Sequence, residues 1–184
     1  MIKRALVLLA DGFEDVEAIT PIDYLCRAGV EVTTASVSPS LTVSSRWGSI
    51  KVIANKKLAE LGAQDWDAVI IPGGMPGAAN IAASKEANML IKAMAAHRKL
   101  VCAICAAPIV VLYPLGLLAG KKYTCHPGLE EKSTDGEWLS DRVVSDGNII
   151  TSRGAGTAGE FSIAIIEKLY DAKIAGKIKE LVLL

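Results

Sequence analysis

A cysteine that ends a buried strand and opens a helix has the means to act as a nucleophile, and Cys105 stands in such a place. The run Leu100-Val101-Cys102-Ala103-Ile104 is apolar and of strand length. Pro108, which needs no amide partner in a first helical turn, opens a helix through Val110-Val111-Leu112. Strand, cysteine and helix in that order describe a nucleophile elbow, in which a tight turn pushes the side chain outward. The unpaired amides of the first helical turn would hold an oxyanion and lower the thiol below its ordinary pKa of about 8.5. The competing reading is a buried, inert thiol, because free cysteine is among the most buried residue types.

A thiol mechanism also needs proton carriers. Glu17 follows the first apolar run and lies in the first turn of a helix, where a carboxylate either complements the helix dipole or serves as an acid/base beside Cys105. Of the two histidines, His97 lies near a helix end beside Arg98 and Lys99 and reads as a solvated cation. His126 sits in a loop before Pro127-Gly128 and completes a Cys, His and Glu set. Pro72-Gly73-Gly74 ends another strand, and glycines there let backbone amides approach a substrate oxygen. Arg153-Gly154-Ala155-Gly156-Thr157 has the form of a small anion nest, but it lacks the lysine and spacing of a P-loop, so no nucleotide is expected. Cys102-Ala103-Ile104-Cys105 spells C-x-x-C, yet Cys102 is still inside the strand and no second ligand pair exists. Neither a redox dithiol nor a metal site is expected.

These residues are far apart in sequence and need a fold that gathers strand ends. Arg4 to Ala10 is a continuous apolar run, as in a strand buried on both faces of a parallel sheet. Asp11 to Glu14 break it, and Val16, Ile19, Ile22 and Leu25 then recur at helical spacing up to Ala28-Gly29. Val30 to Val37 is a second strand. Leu41-Thr42-Val43 and Ile50 to Ala54 form a hairpin around Arg46-Trp47-Gly48, flanking the main sheet. Asp67 to Ile71 is a strand followed by a long helix through His97. After the elbow come strands at Lys121 to Cys125 and at Arg142 to Ser145, the latter turning at Asp146-Gly147 into Asn148 to Ser152. Thr157 caps a helix with Phe161, Ile165, Ile166 and Leu169 on one face. This alternation predicts a doubly wound α/β sandwich with a mostly parallel sheet, whose loops at the carboxyl ends of the strands converge on one crevice.

Composition narrows the function. At 184 residues, 51% of them hydrophobic, the chain fits a single domain over 1–184 with a sizeable core. Twenty basic and 20 acidic residues balance without a stripe of either sign, which argues against nucleic acid and suits small substrates. No apolar run approaches the roughly 20 residues of a membrane span, and the apolar start lacks a cleavage pattern. Four cysteines without an export signal point to free thiols in the cytoplasm.

Several motifs in order carry a resemblance over essentially the whole chain. Asp11-Gly12-Phe13-Glu14-Asp15-Val16-Glu17, Pro72-Gly73-Gly74, Ala103-Ile104-Cys105-Ala106-Ala107-Pro108, His126-Pro127 and Thr151 to Thr157 together resemble the ThiJ/PfpI superfamily, nearest its DJ-one branch. The resemblance implies a flavodoxin-like sandwich, a homodimer, a nucleophilic Cys105, and Glu17 as a protonated partner of its thiolate. It further implies His126 nearby and an oxyanion site at the amides of Gly74 and Ala106. Arg27, Arg46 and Arg153 match residues at the dimer seam and pocket rim, although Trp47-Gly48-Ser49 lengthens the hairpin around Arg46. The implied chemistry needs no cofactor: repair of methylglyoxal- or glyoxal-adducted amino or thiol groups, with glyoxalase-like release of a 2-hydroxy acid. The other function the resemblance carries is a redox-responsive stress protein or chaperone, in which Cys105 is oxidised and nothing is turned over. Cys125 stands where the family often has a non-thiol residue.

Overall fold

The computed structural model describes residues 2–184. Strands β1 (Arg4–Leu9), β2 (Glu31–Ser36), β3 (Thr42–Ser44), β4 (Lys51–Ile53), β5 (Lys56–Lys57), β6 (Ala68–Ile71), β7 (Leu100–Ile104), β8 (Lys122–Tyr123), β9 (Glu137–Trp138), β10 (Val143–Asp146) and β11 (Ile149–Ser152) alternate with five helices. These are α1 (Asp15–Arg27), α2 (Gly77–Ala83), α3 (Lys85–Ala96), α4 (Ala158–Leu169) and α5 (Ala172–Leu181). Seven strands form the central sheet in the order β10-β11-β7-β6-β1-β2-β5. All its pairs are parallel except β10 with β11, the hairpin at Asp146-Gly147.

Strand period explains the layers. Along β1, Leu6 and Leu8 face the side covered by α2 and α3, where Ile81, Leu90, Ile91 and Met94 pack. Ala5, Val7 and Leu9 face α1, α4 and α5, against Ala18, Leu25, Phe161, Ile165, Ile166 and Ile178. Both faces being covered, the central strands carry no polar alternation, and each fully buried Leu or Ile contributes about 1.5–3 kcal/mol. This is the flavodoxin-like sandwich expected, with an antiparallel edge strand.

Local differences have local causes. The long helix expected through His97 is two, because Ser84 takes an extended conformation and its hydroxyl accepts from the Ala87 amide at 3.1 Å, capping α3. Thr157 does not cap α4 with its side chain; its hydroxyl is turned back to Ser152 Oγ at 2.7 Å and to the Gly154 loop. Only Lys122 and Tyr123 of the Lys121 to Cys125 run pair as strand, in a separate two-stranded sheet with β9. In α1 the buried face is Glu17, Ala18, Pro21 and Leu25, whereas Val16 and Ile19 are 45% and 40% exposed. A further helix, α5, is capped by Asp171, whose Oδ1 accepts from the Ile174 amide at 2.9 Å, and it buries Ala175 and Ile178.

Candidate active site

The carboxyl ends of β1, β6, β7 and β11 bring Glu17, Gly73-Gly74, Cys105 and Arg153 to one end of the sheet. Glu14 caps α1, its Oε2 accepting from the Glu17 amide at 2.8 Å, and this sets Glu17 facing inward at 1% exposure. The loops after β1 and β6 then exchange two bonds. The Glu14 amide donates to the Gly73 carbonyl at 3.1 Å, and the Gly73 amide donates to Glu17 Oε2 at 2.9 Å. Gly73 is the spacer of the site: a Cβ there would lie 2.6 Å from both Cys105 Cβ and Glu17 Oε2. Its amide serves Glu17, leaving the Gly74 and Ala106 amides to donate toward the Cys105 sulfur. Gly74, at φ 85, needs the freedom of glycine, since a Cβ would meet Gly12 O and Glu14 N at 2.5 Å.

Cys105 has φ 65, in the left-handed region that side chains seldom adopt, as an elbow requires. Two bonds hold it there. Its amide donates to the Ser152 carbonyl at 2.9 Å, and its carbonyl accepts from the His126 amide at 2.8 Å. Beyond the elbow the chain makes a single π-helical turn over Pro108–Leu112, with the Tyr113 amide donating to the Pro108 carbonyl at 2.9 Å, and not the α-helix expected.

Burial raises the Glu17 carboxyl from 4.5 to about 7, the hydrogen bond with Cys105 and the Gly73 amide opposing. The Cys105 thiol moves up as well, to about 12, through burial and then through the charge of Glu17 and the hydrogen bond to it. This reverses the expectation of a depressed thiol. The amides of Gly74 and Ala106 do act on the sulfur, but burial and a facing carboxylate outweigh them. The two acids share one desolvated site, and of the two Glu17 gives up its proton first, so that its carboxylate faces a neutral Cys105 thiol.

A cleft of about 210 Å³ lies over Cys105, lined by Arg46, Gly74, Met75, Ala106, His126 and Leu129. The lengthened hairpin thus reaches the site, with the Arg46 amide tied to the Phe13 carbonyl at 2.8 Å. Residue type and spacing gave no signal for Met75 or Leu129, nor for the Ser152 carbonyl that holds the elbow. His126 lines the cleft, and its ring Nδ1 donates to the Pro127 carbonyl at 2.9 Å. Arg153 lines an adjoining depression of about 300 Å³ with His126, Arg142 and Gly154 to Thr157, its Nη1 donating to the Ser140 carbonyl at 3.0 Å. Arg27 is exposed and paired with Asp23 at 2.8 Å. Cys102 and Cys125 are buried, free thiols in the two opposite core layers.

The model of the DJ-1/PfpI family matches residues 3–168. The chain belongs to that family. Among curated DJ-1/PfpI relatives, the Parkinson disease protein 7 homolog of Danio rerio is 37% identical over 182 residues, covering 96% of this chain and 95% of its own. The glutathione-independent glyoxalase DJR-1.2 of Caenorhabditis elegans is 35% identical over 170 residues, 91% of this chain and 89% of its own. The DJ-1 homolog B of Arabidopsis thaliana is 43% identical over 168 residues. The chain matches only 38% of that protein and 42% of its homolog A, about two fifths of their length. Oxidized DJ-1 of Toxoplasma gondii superposes with a TM-score of 0.95 at 37% identity, covering 98% of each chain. No helix among the described residues is long and apolar enough to cross a membrane.

Proposed function

We propose that this member of the DJ-1/PfpI family is a cysteine-dependent glyoxalase and deglycase that uses no cofactor and acts on methylglyoxal, glyoxal and their adducts with amino or thiol groups. The observation that carries the reading is the Cys105–Glu17 pair, a thiol at a left-handed elbow against a buried carboxyl whose pKa is raised to about 7. A pKa near the working pH suits a group that must both give and take a proton. With methylglyoxal, Cys105 adds to the aldehyde carbon as its thiol proton passes to the Glu17 carboxylate, and the resulting oxyanion is held by the amides of Gly74 and Ala106. Glu17 protonates that oxygen, removes the proton from the former aldehyde carbon and returns one to the neighbouring carbon, while the hydroxyl proton passes to the neighbouring oxygen, leaving a lactoyl thioester. Water then cleaves the thioester to lactate and regenerates the thiol. The cleft admits small carbonyl compounds, and the glyoxalase name of the Caenorhabditis elegans relative agrees with this chemistry. The test is lactate release from methylglyoxal by the parent and by Cys105→Ser. Turnover is expected to disappear in the variant, and equal rates in the two would sink the proposal.

A second reading, oxidation of Cys105 without turnover, is favoured by the same amides and protonated carboxyl, which would solvate a sulfinate, and by the oxidized state of the Toxoplasma gondii relative. It predicts a gain of two oxygens at Cys105 under mild peroxide and no lactate above the Cys105→Ser level. The reading extends to assembly as a cytoplasmic homodimer of single-domain chains. Val16 and Ile19 on the outer face of α1 leave apolar side chains for a partner, with Arg27 at the seam. Sedimentation at micromolar concentration is expected to show a dimer that Ile19→Lys dissociates; a monomeric parent would contradict it.

A further inference from the structure

Arg46 and Trp47 form a pair that the chemistry above does not use. The Arg46 guanidinium carbon lies 4.6 Å from the centroid of the Trp47 ring, and that ring is 73% exposed. The backbone beneath them is fixed. Arg46 N is bonded to Phe13 O, Gly48 N to Ser45 O at 2.9 Å, and Ser45 N to Ile50 O at 2.9 Å, so the hairpin tip is a closed turn anchored to the loop that carries Glu17. Arg46 lines the Cys105 cleft, and among the described residues no carboxylate pairs with it. The chain holds a contrasting pair: Arg4 stacks on Trp66 at 5.0 Å but also meets Glu31 at 3.7 Å and Asp65 at 4.0 Å, so its charge is already matched. The Arg46 charge, with no carboxylate in ion-pair contact among the described residues, is near enough to act on the Glu17 carboxyl, so an exposed tryptophan stacked on it at the rim of the cleft has a use in fixing where that charge lies.

We infer that Trp47 is a positioning residue, which by stacking on Arg46 holds the guanidinium at the mouth of the cleft, where it favours electrophiles and carbonyl compounds bearing a carboxylate. Without the ring, the long Arg46 side chain is free to swing into solvent, and its field at the cleft is averaged away. The effect falls on anionic reactants and spares neutral ones of the same shape. The inference rests on Cys105 being the reacting group of the cleft.

Iodoacetate and iodoacetamide differ in the carboxylate and attack the same sulfur, so the ratio of their rates at Cys105, read by peptide mass at one pH, isolates the charge at the mouth. Trp47→Ala is expected to lower the iodoacetate to iodoacetamide ratio about twofold, the size of an exposed cation–π contact, and Trp47→Phe to keep most of it. Arg46→Gln should lower the ratio up to about fivefold, and adding Trp47→Ala to it should change nothing more. A ratio unchanged in Trp47→Ala, an equal loss in Trp47→Phe, or additive losses in the double variant each overturn the role of Trp47 and leave Cys105 as the nucleophile. Failure of both reagents to alkylate Cys105 in the folded protein overturns the site itself, and this inference with it.

Discussion

Glu17→Gln is expected to lower methylglyoxal turnover by about 10²–10⁴-fold, the usual loss on removing a general acid/base, while raising stability at neutral pH. The amide keeps the shape and can still donate to the sulfur, but it cannot return a proton. The stability gain comes from the sign of the pKa shift. Unfolded, the carboxyl ionises near 4.5, whereas folded it holds its proton to about 7. Between those values the native state binds the extra proton, so stability is greatest below 4.5 and falls as pH rises through about 7. At about 1.4 kcal/mol per unit, the parent should lose about 3 kcal/mol relative to Glu17→Gln over that window. Urea denaturation of both proteins at pH 5 and pH 8 measures it, and parallel curves would remove Glu17 as the buried acid. Sulfinate formation at Cys105 should survive the substitution better than turnover, which separates the two functional readings.

Gly73→Ala is expected to abolish turnover to the level of Cys105→Ser and to cost about 1–3 kcal/mol of stability. The added methyl would stand 2.6 Å from both Cys105 Cβ and Glu17 Oε2 and 3.1 Å from the Ile104 carbonyl, so the thiol and the carboxyl cannot both keep their places. The backbone at Ile104 belongs to a central strand and cannot give way. Gly156→Ala is the matched control, because nothing lies within 4 Å of its Cβ position and the change should stay within about 0.5 kcal/mol. A Gly73→Ala protein with the parent's turnover and alkylation profile would show that Glu17 and Cys105 do not work in contact.

The elements that carry a hydrophobic period were legible in the chain alone. β1, β6 and β7 read as buried runs, and the turn at Asp146-Gly147 announced the antiparallel edge. What stayed hidden depends on tertiary neighbours. Ser84 splits an alanine-rich run with no glycine or proline to mark it, and Thr157 forgoes its cap because Ser152 and Gly154 compete for the hydroxyl. Val16 and Ile19 keep helical spacing yet face outward, since the inward side of α1 is taken by small Ala18, Pro21 and the buried Glu17. At the site, residue types pointed to Cys105, Glu17 and His126, but the direction of the thiol's shift required knowing how deeply the pair is buried. Arg46 could be placed only once the Phe13 carbonyl was seen to tie the hairpin to the α1 loop.

Both peptide bonds flanking Cys105 are held by parts of the chain made later, the Ser152 carbonyl on one side and the His126 amide on the other. Synthesis proceeds from the amino terminus, so Cys105 is made before either partner. Until β11 docks beside β7, nothing compels residue 105 to stay in a backbone conformation that a side chain disfavours, and Glu17 has no closed pocket in which to retain a proton. The nascent thiol is therefore an ordinary one, solvated and without its acid. The Cys105–Glu17 pair comes into being only at the moment of tertiary closure, and chemistry that needs both groups in contact is confined to the finished fold.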